Sequence, residues 1–399
     1  MDTEIDVDKS EKKFKCFNET FPHCTFALAF SLTYPNPTNI KKRLIIFSIA
    51  ILLNSGMLIW FILYLFKCIQ TRDLYNLARN ITIGVLVLLF FSKMYYTTRN
   101  AKKFARLLEK ITDDLLQGND LAEEYQIIYE YYIKIGKHGE TIWIIIPILL
   151  SSQFPIYAGV CNMYESLRSD VGKKYMIHEM ELKYIEDIQY ETPYYEMLFA
   201  YNIINVILLS PNFAGFDGSF CIATNHLRLK LKVLAHKVCA AFRGAKSKAD
   251  LKEKLKSAIR DHQEALDFYD DLQEVYGGWL LVVFLLTSFL ISLNIYQIYL
   301  SQQIDTKYSM FAISGIIHMF TPCYFSSNLI KTSEELSWDL YNAAWEDWPD
   351  PAVRKLLIFM ITKSQQTLVL TGQGMVYFNM QLFISVLQTS YSVFTLITS

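Results

Sequence analysis

Charge is what this sequence has least of. Only 19% of its 399 residues are Asp, Glu, Lys or Arg, whereas 52% are hydrophobic. A soluble domain of this size needs more charge to cover its surface, so the shortage excludes an ordinary water-soluble globule. The net charge of −1 carries no basic excess, and no nucleic-acid partner is expected. Cysteine is sparse as well. The seven present (Cys16, Cys24, Cys68, Cys161, Cys221, Cys239, Cys323) form no CxxC pair, which argues against a zinc site and a disulfide-dense ectodomain. The HExxH, GxSxG, GxGxxG and P-loop patterns are missing. No catalytic residue, metal or cofactor is therefore expected, and the chain does not read as an enzyme. His178-Glu179 stands in an acidic loop without a second histidine at ligand spacing and reads as a solvated pair. His318, inside an apolar run, reads as a packed or hydrogen-bonded histidine rather than a metal ligand.

Long hydrophobic runs are what the chain does have. Seven approach or reach the roughly 20 residues of a membrane helix: Leu44–Phe66, Leu74–Tyr96, Thr141–Met163, Tyr194–Phe216, Trp279–Leu300, Ser309–Ile330 and Val376–Thr398. Trp60, Tyr95, Tyr96, Tyr194, Tyr195, Trp279 and Tyr299 crowd their ends, as interfacial belts do. The first forty residues are polar and lack an apolar signal-peptide core, so the first span is expected to do the targeting. With the N-terminus inside, and Arg79 and Lys93 counted with their nearer loops, the cytosolic segments hold 30 of the 38 Lys and Arg. The positive-inside rule then predicts a cytosolic N-terminus and an extracellular C-terminus. The fold class is thus an all-α membrane protein of seven transmembrane helices with a cytosolic helical anchor region.

The segments divide accordingly into a cytosolic N-terminal segment (1–43), helices 1–4 (44–216), a cytosolic helical extension (217–278), helices 5–6 (279–330), a cytosolic anchor (331–375) and a last transmembrane helix (376–399). In the extension, Leu251, Leu255, Ile259, Leu266, Tyr269 and Leu272 fall near helical spacing. Pro351–Val369 predicts a further helix with proline at its start. Such amphipathic helices suggest a bundle or a subunit interface beneath the membrane. Gly372 and Gly374 read as a flexible or tightly packed hinge.

The last span carries the most informative pattern. Ser385, Gln388, Ser392 and Ser399 recur along one face, with Leu396 completing it and Thr389 and Thr395 flanking it. Such a stripe either cements helix pairs or lines a water-filled path with Leu396 as a dewetting constriction. Near the outer ends of other spans, aromatics mix with small residues: Phe154, Tyr157, Ala158 and Cys161, then Phe199 and Ile203, then Phe311, Ser314 and Gly315. These positions predict an apolar pocket for a small molecule, with ordinary interhelical packing as the alternative. The loop Tyr164–Glu196, with eight acids and four bases, reads either as a negative vestibule or as a merely soluble loop. Cys68 and Cys161 fall near the outer ends of two spans, as one bridge or as two buried thiols.

The closing SYSVFTLI, Ser390–Ile397, resembles the C-terminal signature of the insect odorant receptors. The stretch Cys323–Pro349 is similar to the same family's run from the sixth span to its tryptophan, here Trp345, and Arg354–Phe383 to its cytosolic anchor helix and the entry to its last span. Ser326 and Met375 depart from its common glycine and phenylalanine. The resemblance implies a subunit of an odorant-gated, non-selective cation channel, assembled with a coreceptor subunit as a heterotetramer in the dendritic plasma membrane of olfactory neurons. It implies a small volatile apolar ligand, a central pore lined by the last spans, Leu396 at a hydrophobic gate, and Ser392 and Ser399 at polar pore positions. A gustatory-type receptor of the same superfamily is the nearest alternative, which the SYSVFTLI ending disfavours. A G-protein-coupled receptor would need the reverse orientation, and a transporter an inverted repeat or a broken helix pair, at which Pro147 and Pro155 only hint.

Overall fold

The computed structural model of the protein describes residues 13–31, 33–35, 40–168, 173–300 and 306–398. Its helices are α1 (Phe17–Thr20), α2 (Pro22–Phe30), α3 (Ile40–Thr71), α4 (Leu74–Arg99), α5 (Ala101–Gln117), α6 (Glu123–Arg168), α7 (Tyr194–Gly244), α8 (Lys248–Leu300), α9 (Thr306–Tyr341), α10 (Pro351–Ser364) and α11 (Met380–Thr398). The predicted spans fall one each into α3, α4, α6, α7, α8, α9 and α11. Among the described residues, α4, α6, α7 and α8 are long and apolar enough to cross a membrane, and Ser55–Thr71 of α3 is a shorter apolar run. α6 runs continuously through Pro147 and Pro155.

Local signals set several boundaries. Asp73 opens α4 by accepting the Asn76 N–H at 3.0 Å, and Asp350 caps α10 through the Ala352 N–H at 2.8 Å with Pro351 next to it. α10 stops at Ser364 rather than running to Val369, because the backbone of 368–371 is held by side chains of α8 and α9. Ser333 Oγ accepts the Leu368 N–H (3.0 Å), the Tyr269 hydroxyl donates to the Val369 carbonyl (2.7 Å), and Gln273 bonds both the N–H and the carbonyl of Thr371. A two-stranded hairpin then forms from β1 (Thr371–Gly372) and β2 (Val376–Tyr377). Gly372 is required by close approach, since a Cβ there would sit 3.0 Å from the Leu281 backbone. Gly374, at φ +71°, takes the left-handed turn. The last helix consequently starts at Met380, four residues after the apolar run begins.

The largest departure is at the N-terminus. Phe14, Phe17, Phe21, Cys24 and Leu28 are buried in the main core rather than lying in a polar tail. Their three- and four-residue spacing is helical, and α2 packs so tightly on α7 that a Cβ at Gly215 would fall 2.7 Å from the Leu28 nitrogen. Cys24 N–H donates to Glu140 Oε1 at 2.7 Å.

α7 and α8 are far longer than a bilayer requires. Beyond their apolar portions they continue, with α5, α9 and α10, as a helical bundle, here called the stem. Where stem and spans meet, Phe104, Phe216, Phe220, Tyr276 and Trp279 form an interlocked aromatic cluster with centroids 5.1–6.0 Å apart. In the stem Asp114 accepts from His226 (2.8 Å) and Lys230 (2.7 Å). Burial pushes this carboxyl up, but those two partners outweigh it and hold it down at about 2.

Candidate functional site

α11 buries one edge and leaves the rest bare. Val386 and Ser390 are 4% and 2% exposed, and the Ser390 hydroxyl reaches the Ser288 carbonyl of α8 at 3.5 Å. Asn379 caps the helix through the Leu382 N–H (2.8 Å), and Ser327 of α9 accepts the Met380 N–H (2.8 Å). Ser385, Gln388, Ser392 and Leu396 all face out of the subunit, Leu396 at 78% exposure. The Ser392 hydroxyl donates to the Gln388 carbonyl of its own helix at 2.9 Å. Ser399 lies outside the described residues. Among the described residues of one chain, then, Ser385, Gln388 and Ser392 cement no helix pair.

The pocket positions distribute unevenly over α6, α7 and α9. Phe154 and Phe311 meet with ring centroids 5.0 Å apart; Ala158 is buried, Cys161 half-buried and Tyr157 exposed. Phe199, half-buried, meets Tyr195 in a tilted contact at 5.7 Å, and Ile203 is half-buried one turn on. Ser314 is half-buried and donates to the Phe311 carbonyl at 3.1 Å. Gly315 is buried against α8, where an added Cβ would stand 3.1 Å from Leu290 and 3.2 Å from Ile291.

The loop after α6 is a packed cap rather than a free acidic loop. Met176, Ile177, Met180 and Leu182 are buried. Arg79 pairs with Glu179 at 3.0 Å and Lys67 pairs with Glu181, which neutralises two of its acids. Trp60 Nε1 donates to the Lys183 carbonyl at 3.0 Å. Asn162 binds the Tyr175 N–H (2.7 Å), the Tyr175 carbonyl (2.9 Å) and the Tyr195 hydroxyl (2.7 Å), tying α6 and α7 to the loop. A small cleft of about 20 Å³ remains beneath it, between α3 and α7. Cys68, buried there with Met180, and Cys161 are free thiols.

A second feature is not foreshadowed by any sequence motif. Lys93 of α4 and Asp217 of α7 form a 2.7 Å ion pair at 0% and 1% side-chain exposure. His318 of α9 donates to the same Asp217 oxygen at 3.1 Å, and its other nitrogen meets Thr287 of α8 at 3.2 Å. Trp143 of α6 stands edge-on to His318 at 5.4 Å, and the ammonium lies 3.6 Å over the Phe213 ring. Five helices converge on one charged knot, and His318 is a hydrogen-bonding partner in it. Charges this deep in a helical membrane bundle are costly unless paired.

Buried polar knots, apolar helices in lipid-spanning number and a helical stem define a polytopic all-α membrane protein. Residues 73–391 match the profile of the family described as 7tm odorant receptor, and the chain belongs to that family. Odorant receptor 85d of Drosophila melanogaster is 23% identical over 84% of this chain and 81% of its own. Odorant receptor 22b of the same fly is 26% identical, over only 37% of each chain. Among solved structures, the olfactory receptor OR5 of the insect Machilis hrabei, in complex with eugenol, superimposes with a TM-score of 0.73. It covers 95% of this chain and 99% of its own at 14% identity, a likeness of fold alone. The expected family and a mostly helical membrane fold are thereby borne out.

Proposed function

We propose that this chain is the ligand-tuning subunit of an odorant-gated, non-selective cation channel. It acts with a coreceptor subunit in a heterotetramer in the plasma membrane of olfactory dendrites, N-terminus inside and C-terminus outside. The observation that supports this best is α11. A helix carrying Ser385, Gln388 and Ser392 on a face its own subunit leaves bare requires either water or a neighbouring subunit there. Four such helices around an axis give a polar pore, with Leu396 and Ser399 toward its outer end and Leu396 as the apolar constriction.

A small volatile apolar ligand binds among Phe154, Tyr157, Ala158, Cys161, Phe199, Ile203, Phe311, Ser314 and Gly315, with the Phe154–Phe311 contact as its aromatic wall. Each 1.4 kcal/mol by which it prefers the open arrangement shifts the gating equilibrium about tenfold. Substituted-cysteine accessibility tests the reading in cells expressing both subunits. Cysteines at 385, 388 and 392 should react with aqueous thiol reagents faster during odorant stimulation. Labelling that is absent from all three with and without stimulation refutes a water-lined α11.

A further inference from the structure

The cleft beneath the loop after α6 has a lining unlike the rest of the molecule. Met176, His178, Met180 and Leu182 alternate along the segment MIHEMEL, and all four line it. The residues between them turn elsewhere: Glu179 to Arg79 and Glu181 to Lys67. From the floor α3 contributes Met57, and α7 contributes Leu198 and Asn202. Cys68 is buried in the cluster that holds Met180 and against which Met57 packs.

Three thioethers and an imidazole thus face one small cleft, with a buried thiol packed beside it. Among the described residues no three His, Cys, Asp or Glu side chains gather as a hard or borderline metal set. Neutral, polarisable sulfur donors do not serve Mg²⁺ or Ca²⁺ and serve Zn²⁺ poorly, but they select Cu(I) and its surrogate Ag(I). The carboxylates that would attract harder cations are engaged with Arg79 and Lys67. The surrounding loop, with eight acids to four bases, still favours the approach of a cation.

The geometry points to a soft monovalent metal site, Cu(I) held by Met57, Met176, Met180 and His178 between the loop, α3 and α7. The site adjoins the α7 part of the proposed ligand pocket, Leu198 and Asn202 being chain neighbours of Phe199 and Ile203, and metal occupancy can be read without asking whether the channel conducts. A bound ion would clamp the loop onto the outer ends of α3 and α7.

Full-length receptor purified in detergent tests this, titrated with Cu(I) held reduced by ascorbate and competed against a chromophoric Cu(I) chelator. Replacing Met57, Met176 and Met180 together by leucine conserves volume and apolarity. It should lower Cu(I) affinity at least tenfold with the gel-filtration peak unchanged; Met176→Leu alone serves if the triple variant leaves that peak. X-ray absorption at the copper edge should show thioether sulfur with imidazole nitrogen, the nitrogen lost in His178→Ala. Unchanged affinity in the leucine variant, or a copper shell of thiolate sulfur only, overturns the assignment and leaves an adventitious ion at the cysteines.

Discussion

Replacing Lys93 by methionine should destabilise the protein out of proportion to the size of the change. The ammonium and the Asp217 carboxylate are 2.7 Å apart at 0% and 1% exposure, so neither has water to fall back on. Removing one partner of a buried pair costs about 3–5 kcal/mol, because the other charge stays behind unpaired. His318 remains as a hydrogen-bond donor to Asp217 and softens the loss toward the lower end. Asp217→Asn should cost a similar amount by stranding the ammonium over Phe213. The double variant Lys93→Met, Asp217→Asn carries no stranded charge, so it should fall short of the sum of the singles by about 1–3 kcal/mol. At about 2 °C per kcal/mol for a chain of this size, each single variant should melt about 6–10 °C below wild type in detergent. The readout is the loss of the folded peak in fluorescence-detected gel filtration after heating. Strictly additive losses, or singles that melt with the wild type, would refute the coupling argued for this knot.

Particular contacts carry further expectations. Leu396→Ala, which trims the proposed constriction, should raise basal current several-fold when coexpressed with a coreceptor; unchanged basal and evoked currents would count against the gate. Gly215→Ala must push α2 off α7, since the new methyl would lie 2.7 Å from the Leu28 nitrogen. It should cost about 1–3 kcal/mol, read as a lower melting temperature. The Asp114 carboxyl is held down from 3.8 to about 2, so its contribution of about 2 kcal/mol is complete above about pH 4. That contribution disappears as pH falls through about 2. Asp114→Asn should therefore destabilise the receptor at neutral pH and flatten this acid limb, as followed by thermal unfolding across pH.

Much of the frame was legible because lipid imposes a one-dimensional rule. A run of about twenty apolar residues can be read without knowing its neighbours, and six of the seven runs lie within long helices, while the seventh opens as β2 before α11 begins. The polar stripe of α11 was legible for the same reason, periodicity being local. Lys93 and Asp217 were not. Each sits close to the end of its apolar run, where a flanking charge is ordinary, and only the packing of α4 against α7 brings them together across 124 residues. The loop cleft was hidden for another reason. A lone histidine announces no ligand set, and the side chains the fold gathers around His178 are methionines, which in sequence pass for apolar filler. The buried N-terminal helices did leave a signal. Phe14, Phe17, Phe21, Cys24 and Leu28 keep a helical rhythm, but over too few residues to stand out beside membrane-length runs.

α7 and α8 run unbroken for 51 and 53 residues, about 75–80 Å of continuous rod at 1.5 Å per residue. Each is one continuous helix through the aromatic cluster where spans and stem meet, with Pro211 inside α7 as a point where that rod can bend. A small tilt at the loop end, beside the cleft and the aromatic wall, can be carried to the far end of the stem as a displacement. Such a molecule can report a molecule-sized disturbance over a distance longer than a bilayer is thick.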